Sequence, residues 1–153
     1  MNIRLEGKET RQGNGFEYLG GTVTGDGKYE AEVPRRVQVG ANAWRRVEWV
    51  MADRKISRKV KGKVLMSCVT LAFLYGLETV ALTERQQQNL QVCENNRVRR
   101  IVGVQRVDRR MDELREEIGV EMSLTERLVK CQLRWVIHSV WMGKKEWQRQ
   151  RID

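Results

Sequence analysis

The chain has 153 residues, enough for one domain with a modest core, and 29 Lys and Arg against 20 Asp and Glu give it a formal net charge of +9. That surplus points to a polyanionic partner, nucleic acid before an anionic membrane surface. Three dispersed cysteines (Cys68, Cys93, Cys131) and a single histidine, His138, exclude a zinc site and a disulfide framework, and no apolar run follows Met1, so a secretory leader is not expected and an intracellular location, nuclear or cytoplasmic, is.

The first stretch reads as β. Ile3 and Leu5 alternate with Arg4 and Glu6 before a turn at Gly7 and Lys8, a short hairpin signal. Phe16 to Thr24 is rich in aromatic and β-branched residues and reads as strand, and Gly25, Asp26 and Gly27 then break the chain.

From about residue 29 the apolar period becomes helical. Val33, Val37, Gly40, Ala41, Trp44, Val47 and Met51 form one stripe, with Pro34 near its start. Ser57 is placed to cap a second helix through Val64, Cys68, Leu71 and Tyr75. That helix is apolar nearly all round between Val69 and Leu77, so it is expected to be the most buried. The stretch Val64 to Leu82 approaches the length of a membrane span, but Ser67, Thr70, Glu78 and Thr79 interrupt it, and a core helix is predicted instead. Thr83 and Gln86 form a capping box for a third helix, which Gly103 ends. A short fourth helix runs from Asp108 to Gly119. Ser123 and Glu126 open a fifth, which carries Leu124, Leu128, Cys131, Trp135 and Met142 near one face and can end at Gly143. The predicted fold class is therefore mainly α: a short N-terminal β-hairpin or small antiparallel sheet, then a bundle of about five helices. Its parts are a β element at 1–28, a helical region at 29–143 and a polar tail at 144–153.

The basic residues cluster. Arg54, Lys55, Arg58, Lys59, Lys61 and Lys63 fall within ten residues that hold no acid. Arg35, Arg36, Arg45 and Arg46 are assigned to the polar side of the first helix, and Arg97, Arg99, Arg100, Arg106, Arg109 and Arg110 form a third group. Such clusters can neutralise phosphates, and solubilising a helix face is the alternative. Trp49 and Trp147 lie on polar sides by periodicity. Packing is expected of both, with base stacking as the alternative.

No catalytic constellation assembles. Asp26 lies in a Gly-Asp-Gly turn and Asp53 follows a helix with Arg54 beside it, so neither begins a two-metal carboxylate site. Glu116 and Glu117 are adjacent on a helix and diverge. There is no glycine-rich phosphate loop, and a lone His138 near Trp135 is expected to pack or hydrogen-bond. No catalytic or metal-binding residue, small-molecule substrate or membrane partner is assigned.

Several strings, taken together, resemble the C-terminal region of non-LTR (LINE-type) retrotransposon reverse transcriptases. Phe16-Glu17-Tyr18-Leu19-Gly20 followed by Gly25-Asp26-Gly27 is similar to that family's F-x-Y-L-G strand and turn. Ala43-Trp44-Arg45 and Lys61-Gly62-Lys63-Val64 follow at similar distances. Leu74-Tyr75-Gly76-Leu77-Glu78-Thr79-Val80-Ala81-Leu82-Thr83 resembles L-Y-G-x-E-T-W-x-L-T, and Leu133-Arg134-Trp135 with His138 resembles L-R-W-x-G-H. The match spans nearly the whole chain.

The resemblance implies a primer grip at Phe16, Tyr18, Leu19 and Gly20, and a helical thumb from residue 29 onward that closes on a template–primer duplex. An RNA–DNA hybrid or RNA would be held by shape and backbone. Trp44, Tyr75, Gly76, Glu78, Thr83, Trp135 and His138 would be structural motif positions. Arg45, Arg46, Arg54, Lys55, Arg58, Lys59, Lys61, Lys63, Arg99 and Arg100 are the nucleic-acid-binding candidates. The catalytic carboxylates, and the magnesium they hold, would belong to a palm upstream of Met1, so the palm and fingers are an expected partner and no cofactor is expected in this chain. Enzymatic activity of the chain itself is left open. Val80 stands where the family has Trp and Ile137 where it has Gly, Pro34 is additional, and Asn95, Asn96, Arg97 and Arg100 occupy positions often apolar. These departures motivate the alternative, a degenerate helical remnant that binds protein or serves only structure.

Overall fold

The structure, a computed structural model, describes residues 32–105 and 109–149, side chains as far as residue 142, and upstream only the backbone of four short strands. Helix α1 spans Glu32–Ala52. Pro34 is its third residue, where a missing N–H removes no intrahelical bond, so the helix begins just before the proline. The stripe read from the sequence is the buried one: Val33, Gly40, Trp44 and Met51 are buried, and Val37, Ala41 and Val47 partly so.

After a turn in which Lys55 N–H donates to Asp53 Oδ1 at 2.8 Å, the Ser57 hydroxyl accepts from Val60 N–H and starts α2, Arg58–Val64. The rod continues through a π-helical segment, Leu65–Thr70, into α3, Leu71–Leu74. This is one rod, as expected, but its buried face is another one. Lys61, Leu65, Val69, Phe73 and Leu77 are buried, whereas Cys68, Leu71 and Tyr75 are exposed and Val64 is half-buried. Four residues overshoot an α-helical turn by about 40°, so a series spaced by four would wind off one face. The wider π turn, at about 4.4 residues, counters that drift and holds the series against the core.

Gly76 follows with φ 77°, and Leu77–Thr79 makes a 3₁₀ turn. Helix α4, Glu84–Val102, opens with the reciprocal Thr83–Gln86 box and closes at Gly103 with φ 84°. Helix α5 is Met111–Glu117; its predicted start, Asp108, lies outside the described residues, as does Arg106. Gly119, with φ 69°, follows it. Helix α6, Leu124–Arg149, has Ser123 N–H donating to Glu126 Oε2 at 2.7 Å and Glu126 N–H donating back to Ser123 Oγ at 3.3 Å. It passes straight through Gly143, so the helix does not end there; residues 150–153 lie outside the description.

The expected fold class is corrected at its β component. Residues 32–105 and 109–149 contain no strand and no sheet, and the fold they define is helical throughout. Upstream the backbone shows only two separate two-stranded ribbons, β1 (Arg4–Leu5) with β2 (Lys8–Glu9), and β3 (Gly15–Tyr18) with β4 (Gly21–Thr24). They do not join into one sheet. Phe16 and Tyr18 fall in β3 without described side chains, and Leu19, Gly20, Gly25, Asp26 and Gly27 lie outside the described residues.

The core joins the rod to every other helix: Phe73, Leu65, Leu77, Leu90, Leu114, Ile118, Leu124 and Leu128 are all essentially inaccessible. Each such side chain contributes roughly 1.5–3 kcal/mol of transfer free energy. One buried carboxylate organises the junction of α4 and α6. Glu94 Oε2 accepts from Leu124 N–H at 2.8 Å and from Gln91 Nε2 at 3.1 Å, and Arg115 lies 3.8 Å away. Burial pushes its carboxyl above the ordinary value, against these donors and the nearby Arg115 and Arg127 charges.

Candidate nucleic-acid interface

The basic residues divide into those the fold consumes and those it leaves facing water. Arg36 is consumed. It is buried, donates to Glu32 Oε1 at 2.7 Å and lies 5.0 Å over the Tyr75 ring, so its assignment to the polar side of α1 is corrected. Lys61 is buried at 7% exposure, because it shares the inward series of Leu65 and Val69. Arg58 pairs with Glu117 and donates to Val102 O at 3.1 Å, tying α2 to the end of α4 and to α5. The Arg109 hydrogen bond, with the Arg58 charge, holds the Glu117 carboxyl below its ordinary value. Arg100 pairs with Glu48 at 3.0 Å and lies 5.6 Å from the Trp44 ring, while Arg97 lies over Phe73 and donates to Cys93 O. Burial lowers the Arg97 pKa, and its Nε, with those of Arg99 and Arg115 and the Trp44 Nε1, is buried without a hydrogen-bond partner among the described residues. Of the positions where polar residues looked costly, Asn95 is satisfied by Gln91 and Arg115, and Asn96 and Arg100 are exposed.

Arg45, Arg46, Arg54, Lys55, Lys59 and Lys63 are exposed. They do not form one surface cluster. Lys59 lines a cleft that also holds Asp112, Glu116 and Glu121, where acids offset its charge. Lys63 instead faces a groove between the rod and α6 with Arg127, Lys130 and Arg134, a cavity of about 450 Å³ with no carboxylate in its lining. Lys63, Lys130 and Arg134 make no ion pair with any described residue. Sequence reasoning named Lys63 and missed the other three. The signal was present, since 127, 130 and 134 are spaced by three and four along one helix face.

This groove runs into a second, of about 560 Å³, through the shared residues Leu71, Leu74, Cys131 and Arg134. Here the structure brings together four residues from two distant sequence strings: Tyr75 and Glu78 from one, Trp135 and His138 from the other. Tyr75 and Trp135 are 58% and 44% exposed, whereas Leu124 and Leu128, read from the sequence as lying near the same face of α6 as Trp135, are buried. Gly76 lies beside them as the left-handed hinge under Arg36. Trp44 and Thr83 lie elsewhere, one in the core and one as a helix cap. Trp49 is 73% exposed, so the packing expected of it is not realised, and the side chain of Trp147 is not described.

Gly62 has a packing explanation. A Cβ there would lie 1.9 Å from Ile118 O, so the glycine permits α2 to meet the end of α5. No helix among the described residues is long and apolar enough to cross a membrane. No protein-family model, curated protein or solved structure matches the chain.

Proposed function

We propose that the chain is a nucleic-acid-binding helical segment, the thumb side of a reverse transcriptase of the non-LTR retrotransposon type, acting on template–primer inside the cell and not catalytic alone. In this reading a palm and fingers partner supplies the carboxylates and magnesium. The observation that carries it is the acid-free groove of Lys63, Arg127, Lys130 and Arg134, which complements a phosphate backbone. The convergence of the Leu74–Thr83 and Leu133–His138 strings on the adjoining groove supports the same reading.

Fluorescence anisotropy with a labelled RNA–DNA hybrid tests it across a salt series. Four phosphate contacts give a fall in affinity of about 50- to 150-fold between about 50 and 200 mM salt. Replacing Lys63, Lys130 and Arg134 together by Ala leaves one contact and a fall of about threefold from this groove. A folded chain with no affinity for the hybrid at low salt refutes the proposal.

A second reading, a helical protein-interaction or structural remnant, is favoured by one observation. Leu133, Val136, Ile137 and Val140 on α6 are all exposed. It gains if the chain binds a protein in a salt-insensitive way while nucleic acid is ignored.

A further inference from the structure

We infer that the second groove is a seat for a single unstacked nucleotide, so that the ligand class is nucleic acid with an unpaired end rather than uninterrupted duplex. The inference rests on the nucleic-acid reading above and sharpens it. Two neighbouring grooves offer two chemistries in sequence. The first presents Lys63, Arg127, Lys130 and Arg134 and no acid; the second is walled by Leu71, Leu74 and two rings, Tyr75 and Trp135. Arg134 belongs to both, so a phosphate on its guanidinium puts the attached sugar and base at the mouth of the apolar groove. Arg36 covers one face of Tyr75, and Trp135 provides the principal stacking surface. Both volumes, about 560 and 450 Å³, fall in the range of small-ligand clefts, roughly 300–1,000 Å³.

Glu78 sets the polarity of binding. It is the single carboxylate in the apolar groove, repels phosphate there, and can accept hydrogen bonds from the N–H edge of a base. A base paired within a duplex is stacked and its edge is occupied, so it cannot enter; an overhanging nucleotide can.

The test compares a blunt labelled RNA–DNA hybrid with the same hybrid carrying a three-nucleotide single-stranded extension, using the full chain. The extension should tighten binding by about 5- to 150-fold, the range for one base stacked on an aromatic ring. Trp135→Ala should abolish that preference while leaving affinity for the blunt hybrid intact, and Trp135→Phe should retain it. Arg134→Gln should also weaken the preference, which serves as the test should Trp135→Ala melt early by circular dichroism. Equal affinity of the wild type for both probes overturns the inference while leaving hybrid binding standing. Binding to neither overturns both readings. A Trp135→Ala variant that loses self-association in sedimentation but keeps the extension preference assigns the groove to a second copy and also overturns it.

Discussion

Gly62→Ala sets two opposed effects against each other at one position. Gly62 lies within α2, where alanine is favoured over glycine by about 0.5–1 kcal/mol through helix propensity and a less flexible unfolded chain. On propensity alone the variant is more stable. The packing predicts the reverse. The added Cβ would lie 1.9 Å from the Ile118 carbonyl oxygen, 3.0 Å from its carbon and 3.2 Å from Ile118 Cβ. The obstacle is backbone, so no rotamer change relieves it. α2 must back away from α5, loosening Leu65 and Ile118, both inaccessible. Overpacking of this kind costs about 1–3 kcal/mol, and a backbone obstacle puts the value at the upper end. The net expectation is a loss of about 2 kcal/mol, read as a lowered urea midpoint with unchanged slope. Gly62 also stands between Lys61 and Lys63, where a glycine could serve close approach to a phosphate. That role would reduce affinity for nucleic acid and spare stability. A Gly62→Ala variant as stable as the wild type refutes the packing argument.

Thr83→Ala removes the hydroxyl that accepts from Gln86 N–H and should lower stability by about 1 kcal/mol, seen as a lower melting temperature with hybrid affinity unchanged. Glu94→Gln tests the buried carboxylate. Its folded pKa is raised, so its contribution to stability is full below the unfolded value near 4.5 and declines as pH rises through the folded value. The wild type should therefore lose stability relative to the glutamine variant, whose amide oxygen can still accept from Leu124 N–H, as pH is raised from about 4 to 7. A constant difference across that range, in melts taken at each pH, would remove desolvation as the cause.

Local signals were legible along the sequence because their physics is local. The Ser57, Thr83 and Ser123 caps, the Gly103 stop and the α1 stripe each depend on residues within a few positions of one another, and each is present in the fold. The rod from Arg58 to Leu74 is legible in the sequence as an element but not as a face, since a π-helical segment changes the angular step and no periodicity fixed at 3.6 can follow it. Strand-forming residues upstream specify, in the same local way, the backbone pairing of Gly15–Tyr18 with Gly21–Thr24.

Charge divided in the same way. The sequence by itself determined that the chain is strongly basic, helical and capped at defined points. Only the tertiary structure decided which cations are spent on the fold. Lys61 and Arg36 go inward, and Arg58 is bound to Glu117 across 59 positions. Lys63 is left beside Arg127, Lys130 and Arg134, which lie more than sixty positions away in the chain. A carboxylate or a groove wall supplied from a distant segment leaves no trace in local spacing. Whether a lysine meets a glutamate or open solvent is therefore fixed by how the helices pack.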